Sequence, residues 1–546
     1  MPWDPTLIQS EVLAVHAAFL NHGQIIYFGG DQHDPDLAAA HKTDATCLFD
    51  CNSGAVKRIT SPDYDLFCCG HSISALGTLL TAGGTYAFDK TVAGPHHEHF
   101  PGLRDSALFR LESSGYGWRT TADLNAGLPS PENPGPLTGG RWYPTLLTLA
   151  NGDVLALSGH PGENDREHSN YIPEVFTPAP APRGRWHRLG SYRVPQQDML
   201  FRDHETTYYP RAHLLPTGDV LLSSPARNRT VTLRVNRNPW GGQFFDVCEF
   251  KPGADKRYGG FGETSVLLPL LAEDDYRRRR VLLTGGEDPW ILDLSEWKPG
   301  STAPDALAWR RTGPRALPSS PRRINGHAVL LPTGEVLVVG GVAGTPDDKV
   351  PDATAVQYPE IYDPVTDSWS ALTGPGEKAQ VVRNYHSVAL LMPDGRVWTA
   401  GSDHDAGRGT GPTGAAELRI EIYEPWYYRR PNRPEITAAP DRWVTGQQFV
   451  VRTTQAEDIR RVAMVRTGSC THAFNPDQRY LSLEFRHEVD DILLVTAPPD
   501  GNIAPTGMYF IYTINGQGLP SAGTTIYHNG DPRTEAEREW DDLFNG

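Results

Sequence analysis

The 546-residue chain is poor in features that would place it in several other classes of protein. Its six cysteines are too few for a disulfide scaffold, and no Cys-x-x-Cys pair occurs. No apolar stretch is long enough to span a membrane. Long amphipathic helical patterns are almost missing, and the best candidate is the short segment EAEREWDDLF near the C-terminus. These gaps argue against disulfide-rich, membrane-spanning and mainly helical proteins.

Positive charge is also scarce. The formal net charge is −16, which argues against nucleic acid and anionic membranes as the main partners. The N-terminus has no basic segment followed by a leader-like apolar core. We therefore expect that the protein either stays inside the cell or has lost a leader.

Glycine, proline and aromatic residues are plentiful, with 54 Gly, 47 Pro, 13 Trp, 21 Tyr and 18 Phe. This composition predicts many short strands joined by turns. The chain is too long for one ordinary hydrophobic core. Several domains or one large repeat architecture are the two options.

A hairpin pattern recurs seven times along the chain. The copies lie near residues 20–30, 75–84, 150–159, 216–224, 278–286, 332–341 and 393–402. Six of them keep a glycine in the turn, namely Gly23, Gly77, Gly152, Gly218, Gly334 and Gly395, and the fifth copy has Arg279 there. Six steps from the first to the last glycine average 62 residues. Glycine supplies the positive φ that a tight hairpin needs.

Several copies continue into a second hairpin that ends in an aromatic residue, as in EIYDPVTDSWSAL at 360–372. Four strands in each of seven units predict an all-β fold with a seven-bladed β-propeller over residues 1–430. The double glycines and the YDP…W segment resemble the kelch repeat. Pro431 and Pro434 mark a linker. Alternating strands over 431–530 predict an immunoglobulin-like β-sandwich, and we expect 531–546 to form an acidic tail.

Three unusual residues share one register in these units. Nine residues before the turn glycine lie Cys68 in the second unit, Tyr143 in the third and His386 in the seventh, and Tyr385 comes just before His386. This position is near the start of the first strand, which lines the channel of a kelch-type propeller. The seventh unit closes against the first, so these units are close around the ring. We expect the four side chains to meet at the channel mouth.

These side chains offer one imidazole nitrogen and two phenolic oxygens as metal ligands. A fourth ligand would complete the tetragonal N,O set that suits Cu(II). The candidate is His472 in GSCTHAFNPDQR, on a loop of the C-terminal sandwich that would plug the channel. Tyr143 or His386 alone would be an ordinary residue at the edge of the core, and the shared register is what favours a site.

Four motifs together resemble those of the galactose oxidase and glyoxal oxidase family, the copper radical oxidases. They are FCCG, RWYPT, NYHSVALLMPDGRV and THAFNPDQR, and the likeness runs from about residue 14 to about 528. The resemblance implies a Cys68–Tyr143 thioether cofactor. It also implies one copper ion with the ligands Tyr143, Tyr385, His386 and His472. The RWYPT motif is more similar to the glyoxal oxidase branch.

The resemblance further implies an activity. A primary alcohol or hydrated aldehyde, the end of a glycan being one option, would lose two electrons while O2 becomes H2O2. Tyr143 would be the radical and Tyr385 the axial base. We expect a monomer. Members of the family are usually secreted or lie at the cell surface, although no signal peptide is visible in this chain.

Some alternatives stay open at this point. Cys69 follows Cys68, although the alignment of the motif favours Cys68. Cys470 could be a bystander or a soft ligand for Cu(I). The alternative function is a non-catalytic kelch-type propeller that binds a glycan or a protein. Such a protein would be expected to have lost at least one of the five site residues, and none is missing.

Overall fold

The computed structural model describes residues 2–30, 46–75, 77–86, 102–112, 115–124, 139–161, 169–178, 183–190, 208–226, 229–249, 263–286, 288–298, 307–317, 322–343, 354–402 and 416–528. These residues form an all-β structure, as predicted. The helices among them are three-residue 3-10 turns at Asn21–Gly23, Ala272–Asp274 and Ala456–Asp458. In this part of the chain no helix is long and apolar enough to cross a membrane. The predicted acidic tail and the C-terminal helix candidate lie outside the described residues.

Seven sheets follow one another along the chain as far as residue 423, and the first four span residues 16–249. The first contains His16–Leu20 (β1), Gln24–Phe28 (β2), Thr46–Asp50 (β3) and Val56–Ile59 (β4). The second contains Gly70–Ile73 (β5), Leu79–Ala82 (β6), Ser106–Glu112 (β7) and Gly115–Thr120 (β8). The third contains Thr145–Thr148 (β9), Val154–Leu157 (β10), Glu174–Thr177 (β11) and Arg185–Arg188 (β12). The fourth contains Ala212–Leu214 (β13), Val220–Ala226 (β14), Arg229–Arg237 (β15) and Trp240–Glu249 (β16).

The remaining three of these sheets span residues 264–423. The fifth contains Thr264–Leu267 (β17), Arg280–Thr284 (β18), Trp290–Asp293 (β19) and Arg310–Arg311 (β20). The sixth contains His327–Leu330 (β21), Val336–Val339 (β22), Glu360–Asp363 (β23) and Ser368–Ala371 (β24). The seventh contains Ser387–Leu391 (β25), Val397–Gly401 (β26) and Glu421–Tyr423 (β27). Among the residues that the structure describes, the seventh sheet therefore has three of the four consecutive strands predicted for each unit.

The N-terminal segment takes the place of the strand that the seventh sheet lacks. Trp3 and Ile8 form antiparallel bridges to β27 and to the residue just before it. The amide of Ile420 donates to the carbonyl of Ile8 at 2.8 Å. Residues 3–8 lead directly into β1 of the first sheet. Their pairing with the seventh sheet therefore connects the first and the seventh sheets.

The first strands of the sheets lie next to one another. Contacts join β1 to β25, β25 to β21, β21 to β17, β13 to β9 and β9 to β5. Nearly every side chain of these strands is buried. The six turn glycines all have positive φ, between 68° and 90°, as predicted from the hairpin pattern.

Residues 436–528 form two further sheets. The first contains Ile436–Ala438 (β28), Gln448–Thr453 (β30), Phe485–His487 (β34) and Ile492–Thr496 (β35). The second contains Arg442–Trp443 (β29), Ile459–Arg466 (β31), Arg479–Leu483 (β33), Gly507–Asn515 (β36) and Thr524–His528 (β37). The remaining strand of this region, Ser469–Thr471 (β32), leaves these sheets and pairs with β1. This strand carries the chain toward His472.

A buried ion pair ties this C-terminal region to the second sheet. Asp477 Oδ1 accepts from Arg466 at 2.5 Å and from the Ser72 hydroxyl at 2.9 Å. Its other oxygen accepts from the Ile73 amide at 2.8 Å. Both charged side chains are almost fully buried, so each depends on the other for compensation.

We predict that Asp477→Ala destabilises the protein by about 3–5 kcal/mol, because Arg466 would keep a buried charge without its carboxylate. Chemical denaturation followed by tryptophan fluorescence measures the change. The matched control is Asp491→Ala, which removes an exposed pair with Arg452 and should cost less than about 1 kcal/mol. Equal losses in the two variants would contradict this view of the buried pair.

Candidate metal centre

The residues at the predicted register share an unusual backbone conformation. Cys68, Tyr143 and His386 have φ of 61°, 64° and 58°. The same offset of nine residues before the turn glycine gives Tyr209 and Asn325, whose φ values are 44° and 61°. Such left-handed residues are uncommon outside glycine and each stores strain. Five sheets thus make the same left-handed backbone turn one to three residues before their first strand.

Backbone hydrogen bonds connect three of these turns to one another. The amide of Tyr143 donates to the carbonyl of Cys68 at 2.9 Å. The amide of Tyr209 donates to the carbonyl of Tyr143, also at 2.9 Å. The second, third and fourth sheets are therefore joined at the level of the register residues, and these bonds offset part of the strain.

His472 reaches the same level from the C-terminal region. The amide of Thr471 donates to the carbonyl of Phe474 at 3.0 Å, and the amide of Phe474 donates to the carbonyl of Thr471 at 2.9 Å. The two residues between them, His472 and Ala473, have φ of 46° and 60°. Positive φ at both central positions is the type I′ hairpin turn, which normally prefers Asn or Gly. His472 thus lies at the tip of a tight hairpin.

The structure brings all five predicted site residues together. The hydroxyl oxygens of Tyr143 and Tyr385 are 2.6 Å apart. Ligand atoms of Cys68, His386 and His472 lie within 4.8 Å of one another. The rings of His386 and His472 have centroids 4.9 Å apart at 85°. Tyr385 is half-buried whereas the other four are buried, so Tyr385 is the most accessible of the five to solvent.

Hydrogen bonding assigns a tautomer to His472. The Thr471 hydroxyl donates to the carbonyl of Val15 at 2.9 Å. It lies 2.7 Å from His472 Nδ1 and so accepts from it. This leaves Nε2 as the acceptor nitrogen, which is the form that binds a metal. Burial, together with the nearby His386, lowers the pKa of His472 well below its usual value, so the ring is neutral near pH 7.

The phenol of Tyr143 is also held in its neutral form. Burial raises its pKa well above the usual value, and the nearby Cys68 and Tyr385 raise it further. Cys68 and Tyr143 are hydrogen-bonded through their side chains. A bound cation at this site would favour the phenolate instead, because the opposite charge compensates for burial.

The two other cysteines that the sequence leaves open have different surroundings. Cys69 is fully buried and does not belong to the metal-ligating group of Cys68, His386 and His472. Cys470 Sγ lies 3.4 Å from His327 Nδ1. Burial raises the pKa of Cys470 to about 12. A neutral thiol bonded to an imidazole is a poor candidate for a copper ligand.

Two aromatic residues of the site were missed in the sequence. Tyr209 stacks on His472, with centroids 4.5 Å apart, and its hydroxyl donates to the carbonyl of Cys69 at 2.9 Å. The offset that identifies Tyr143 and His386 also gives Tyr209, so the signal was present. Trp142 stacks on Tyr143 at 3.9 Å. Trp142 directly precedes Tyr143 in the sequence, and this position alone does not predict the stacking. The backbone of Trp142 also forms an antiparallel bridge with His160, which fixes its place beside Tyr143.

Comparison with known proteins identifies the family. Residues 130–427 match the model "Glyoxal oxidase N-terminus" and residues 433–527 match "Galactose oxidase-like, Early set domain". An aldehyde oxidase of Vitis pseudoreticulata is 30% identical over 71% of this chain and 72% of its own length. A galactose oxidase of Gibberella zeae is 24% identical over 96% of this chain and 70% of its own length.

A solved structure supports the same fold. A fungal alcohol oxidase determined in complex with copper superimposes with a TM-score of 0.72, at 20% identity, over 96% of this chain and 99% of the other. The sequence matches place the chain among oxidases. It belongs to the glyoxal oxidase and galactose oxidase family of copper radical oxidases.

Buried histidines around the site predict how stability depends on pH. Burial is the main cause that lowers the pKa of His71, His213 and His327 to about 3. The unfolded chain takes up these protons near pH 6.5, and the folded chain resists them. Stability is therefore retained above pH 6.5 and is lost as the pH falls toward 3.

For the metal-free protein we predict a thermal midpoint that falls as the pH drops below 6.5. Buried Glu263, whose pKa burial raises to about 8, acts in the opposite direction but can offset only one of the three histidines. Each such histidine contributes up to about 1.4 kcal/mol per pH unit. His213→Gln should make the decline shallower, whereas the exposed His487→Gln should not. A midpoint that holds steady from pH 7 to 5 would contradict the prediction.

Proposed function

We propose that the protein is a copper-dependent oxidase that converts a primary alcohol or hydrated aldehyde with O2, releasing H2O2. One observation carries the proposal: the Tyr143 and Tyr385 hydroxyls are 2.6 Å apart beside the ligand atoms of Cys68, His386 and His472. Two phenols and two imidazoles form the N,O donor set that suits Cu(II). Tyr143, Tyr385, His386 and His472 would hold the ion.

The donors fit copper in their chemical state as well as in number. His472 is neutral, and its Nδ1 is occupied by Thr471, so the acceptor nitrogen is the other one. The two phenols already share a short hydrogen bond, whose proton a cation would displace. Copper bound here would supply one-electron acceptance and would acidify a coordinated hydroxyl group.

The second electron needs an acceptor in the protein. We assign it to Tyr143, whose ring would carry the sulfur of Cys68 as a thioether. A sulfur substituent lowers the oxidation potential of a phenol and spreads the unpaired electron over the ring. Trp142, stacked at 3.9 Å, shields this ring from solvent. The Tyr143 radical would take a hydrogen atom from the carbon that is oxidised.

Tyr385 would act as the base. It is the half-buried member of the group, and its hydroxyl can face an incoming hydroxyl group. It would take the hydroxyl proton of the substrate while Tyr143 takes the hydrogen atom from carbon. An alcohol then loses two hydrogens to become an aldehyde, and O2 gains the same two to become H2O2.

The seven sheets would be the blades of a kelch-type propeller over residues 1–430, closed by the pairing of residues 3–8 with the seventh sheet. Residues 431–530 would be an immunoglobulin-like sandwich whose hairpin enters the central channel. The small substrate and O2 would be the partners of a monomer, and a glycan end is one form of the substrate.

We predict that the protein loses two hydrogen atoms of mass when the metal-free form is loaded with copper in air. A bond between Cys68 Sγ and a ring carbon of Tyr143 removes one hydrogen from each, and O2 accepts both as H2O2. Intact-protein mass spectrometry measures the change. Cys68→Ala should not show it, whereas Cys69→Ala should. A copper-loaded wild-type protein of unchanged mass would rule out the cofactor.

We also predict that Tyr385→Phe still binds copper but lowers peroxide release about 100-fold or more, because the proton acceptor is lost. Peroxide release is followed with small alcohols and aldehydes, and copper content is measured on the same samples. Tyr116→Phe, in β8, is the control and should behave as wild type. Near-normal turnover by Tyr385→Phe would remove it as the base.

A further inference from the structure

Arg211 is a buried cation that reaches the tip of the His472 hairpin. Its Nε donates to the carbonyl of Glu263 at 2.7 Å, and one terminal nitrogen donates to the carbonyl of Tyr209 at 3.1 Å. The other terminal nitrogen donates to the carbonyl of His472 at 2.8 Å. One side chain therefore joins the fourth sheet, the entry to the fifth sheet and the C-terminal hairpin.

Comparable buried arginines in other sheets do something different. Arg141, Arg323 and Arg383 each lie two or three residues before the register position of their sheet. They donate to carbonyls that lie just before the third strand of their own sheet, namely those of Ile172, Tyr358 and Arg419. Arg211 instead lies two residues after Tyr209, the register residue of its sheet. It donates to the carbonyl of His472, which is 261 residues away in the sequence. A role in holding only its own sheet does not account for this contact.

The hairpin tip needs such a contact. His472 and Ala473 are two successive left-handed residues without a glycine, so their conformation stores strain. The carbonyl of His472 belongs to the peptide between them, and rotating this peptide would move the imidazole. Arg211 fixes that carbonyl from one side and lies over the Phe474 ring, with 5.0 Å from the guanidinium carbon to the ring centroid. The hairpin is thus held on both sides of its turn.

We propose that Arg211 is a positioning residue that sets the orientation of His472 as a metal ligand. The inference rests on the proposed copper centre. A lysine would keep the charge but could not donate to three carbonyls in a fixed fork. Outer contacts of this kind typically change metal affinity by about 10- to 100-fold when they are removed.

The test compares Arg211→Met with a matched arginine. Arg479 is also buried, donates to the carbonyls of Asn502 and Ile503 at 2.6 and 2.7 Å, and bonds to Leu214 of the fourth sheet. It links the C-terminal region to the same sheet without contacting His472. Arg479→Met therefore removes a similar set of hydrogen bonds and serves as the control, while His472→Ala is the reference for loss of the ligand.

Each protein is titrated with Cu(II) against a competing chelator, and its electron paramagnetic resonance spectrum is recorded. Thermal midpoints report folding. Arg211→Met should bind Cu(II) about 10- to 100-fold more weakly and lose nitrogen hyperfine structure, and His472→Ala should lose it too. Arg479→Met should lower the thermal midpoint while its copper affinity and spectrum stay close to wild type.

Three results would overturn the inference. Arg211→Met could bind copper with wild-type affinity and spectrum, or Arg479→Met could weaken binding equally, which would indicate general loosening. If Arg211→Met does not fold, Arg211→Lys decides, and a wild-type spectrum for it would count against the proposal. Failure of the proposed function differs from all of these, because then the wild-type protein itself would bind no stoichiometric Cu(II).

Discussion

The candidate centre depends on one backbone constraint: several sheets adopt the left-handed conformation one to three residues before their first strands. Cys68, Tyr143 and His386 all leave the backbone from such a turn. Each costs of order 1–3 kcal/mol in isolation. The cost is tolerated because amides and carbonyls of adjacent turns bond to one another, as Tyr143 does with Cys68 and Tyr209. Strain and hydrogen bonding together place the side chains at one level.

Burial then determines the chemistry that this arrangement can support. Desolvation keeps the imidazole of His472 and the phenol of Tyr143 neutral. Neutral donors at close range bind a cation readily, because its charge compensates for the phenolates that form. The half-buried Tyr385 gives the group its contact with solvent. A site with one accessible phenol and one protected phenol can divide proton and hydrogen-atom transfer between them.

Much of the site was predictable from the sequence, because the hairpin repeat indicates which positions of different units are equivalent as well as indicating the fold. The offset from the turn glycine predicted the level of Cys68, Tyr143 and His386, and applied to the fourth unit it also gives Tyr209. The pairing of residues 3–8 with the seventh sheet has no local pattern, since its partners lie more than 400 residues away.

The contacts that hold His472 were not predictable for a similar reason. Its turn lacks the glycine or asparagine that marks a type I′ hairpin, and Arg211 is 261 residues distant. Contacts between residues so far apart in the sequence produce no local spacing pattern from which they could be predicted. Residues that share a repeat, by contrast, can be aligned with one another in a single sequence.

The central claim is that four side chains from three separate parts of the chain bind one copper ion. Crystals of the copper-loaded protein, measured on both sides of the copper absorption edge, test it directly. The account predicts one strong anomalous peak within bonding distance of Tyr143, Tyr385, His386 and His472. A peak elsewhere, or none between these four residues at full copper occupancy, would contradict it.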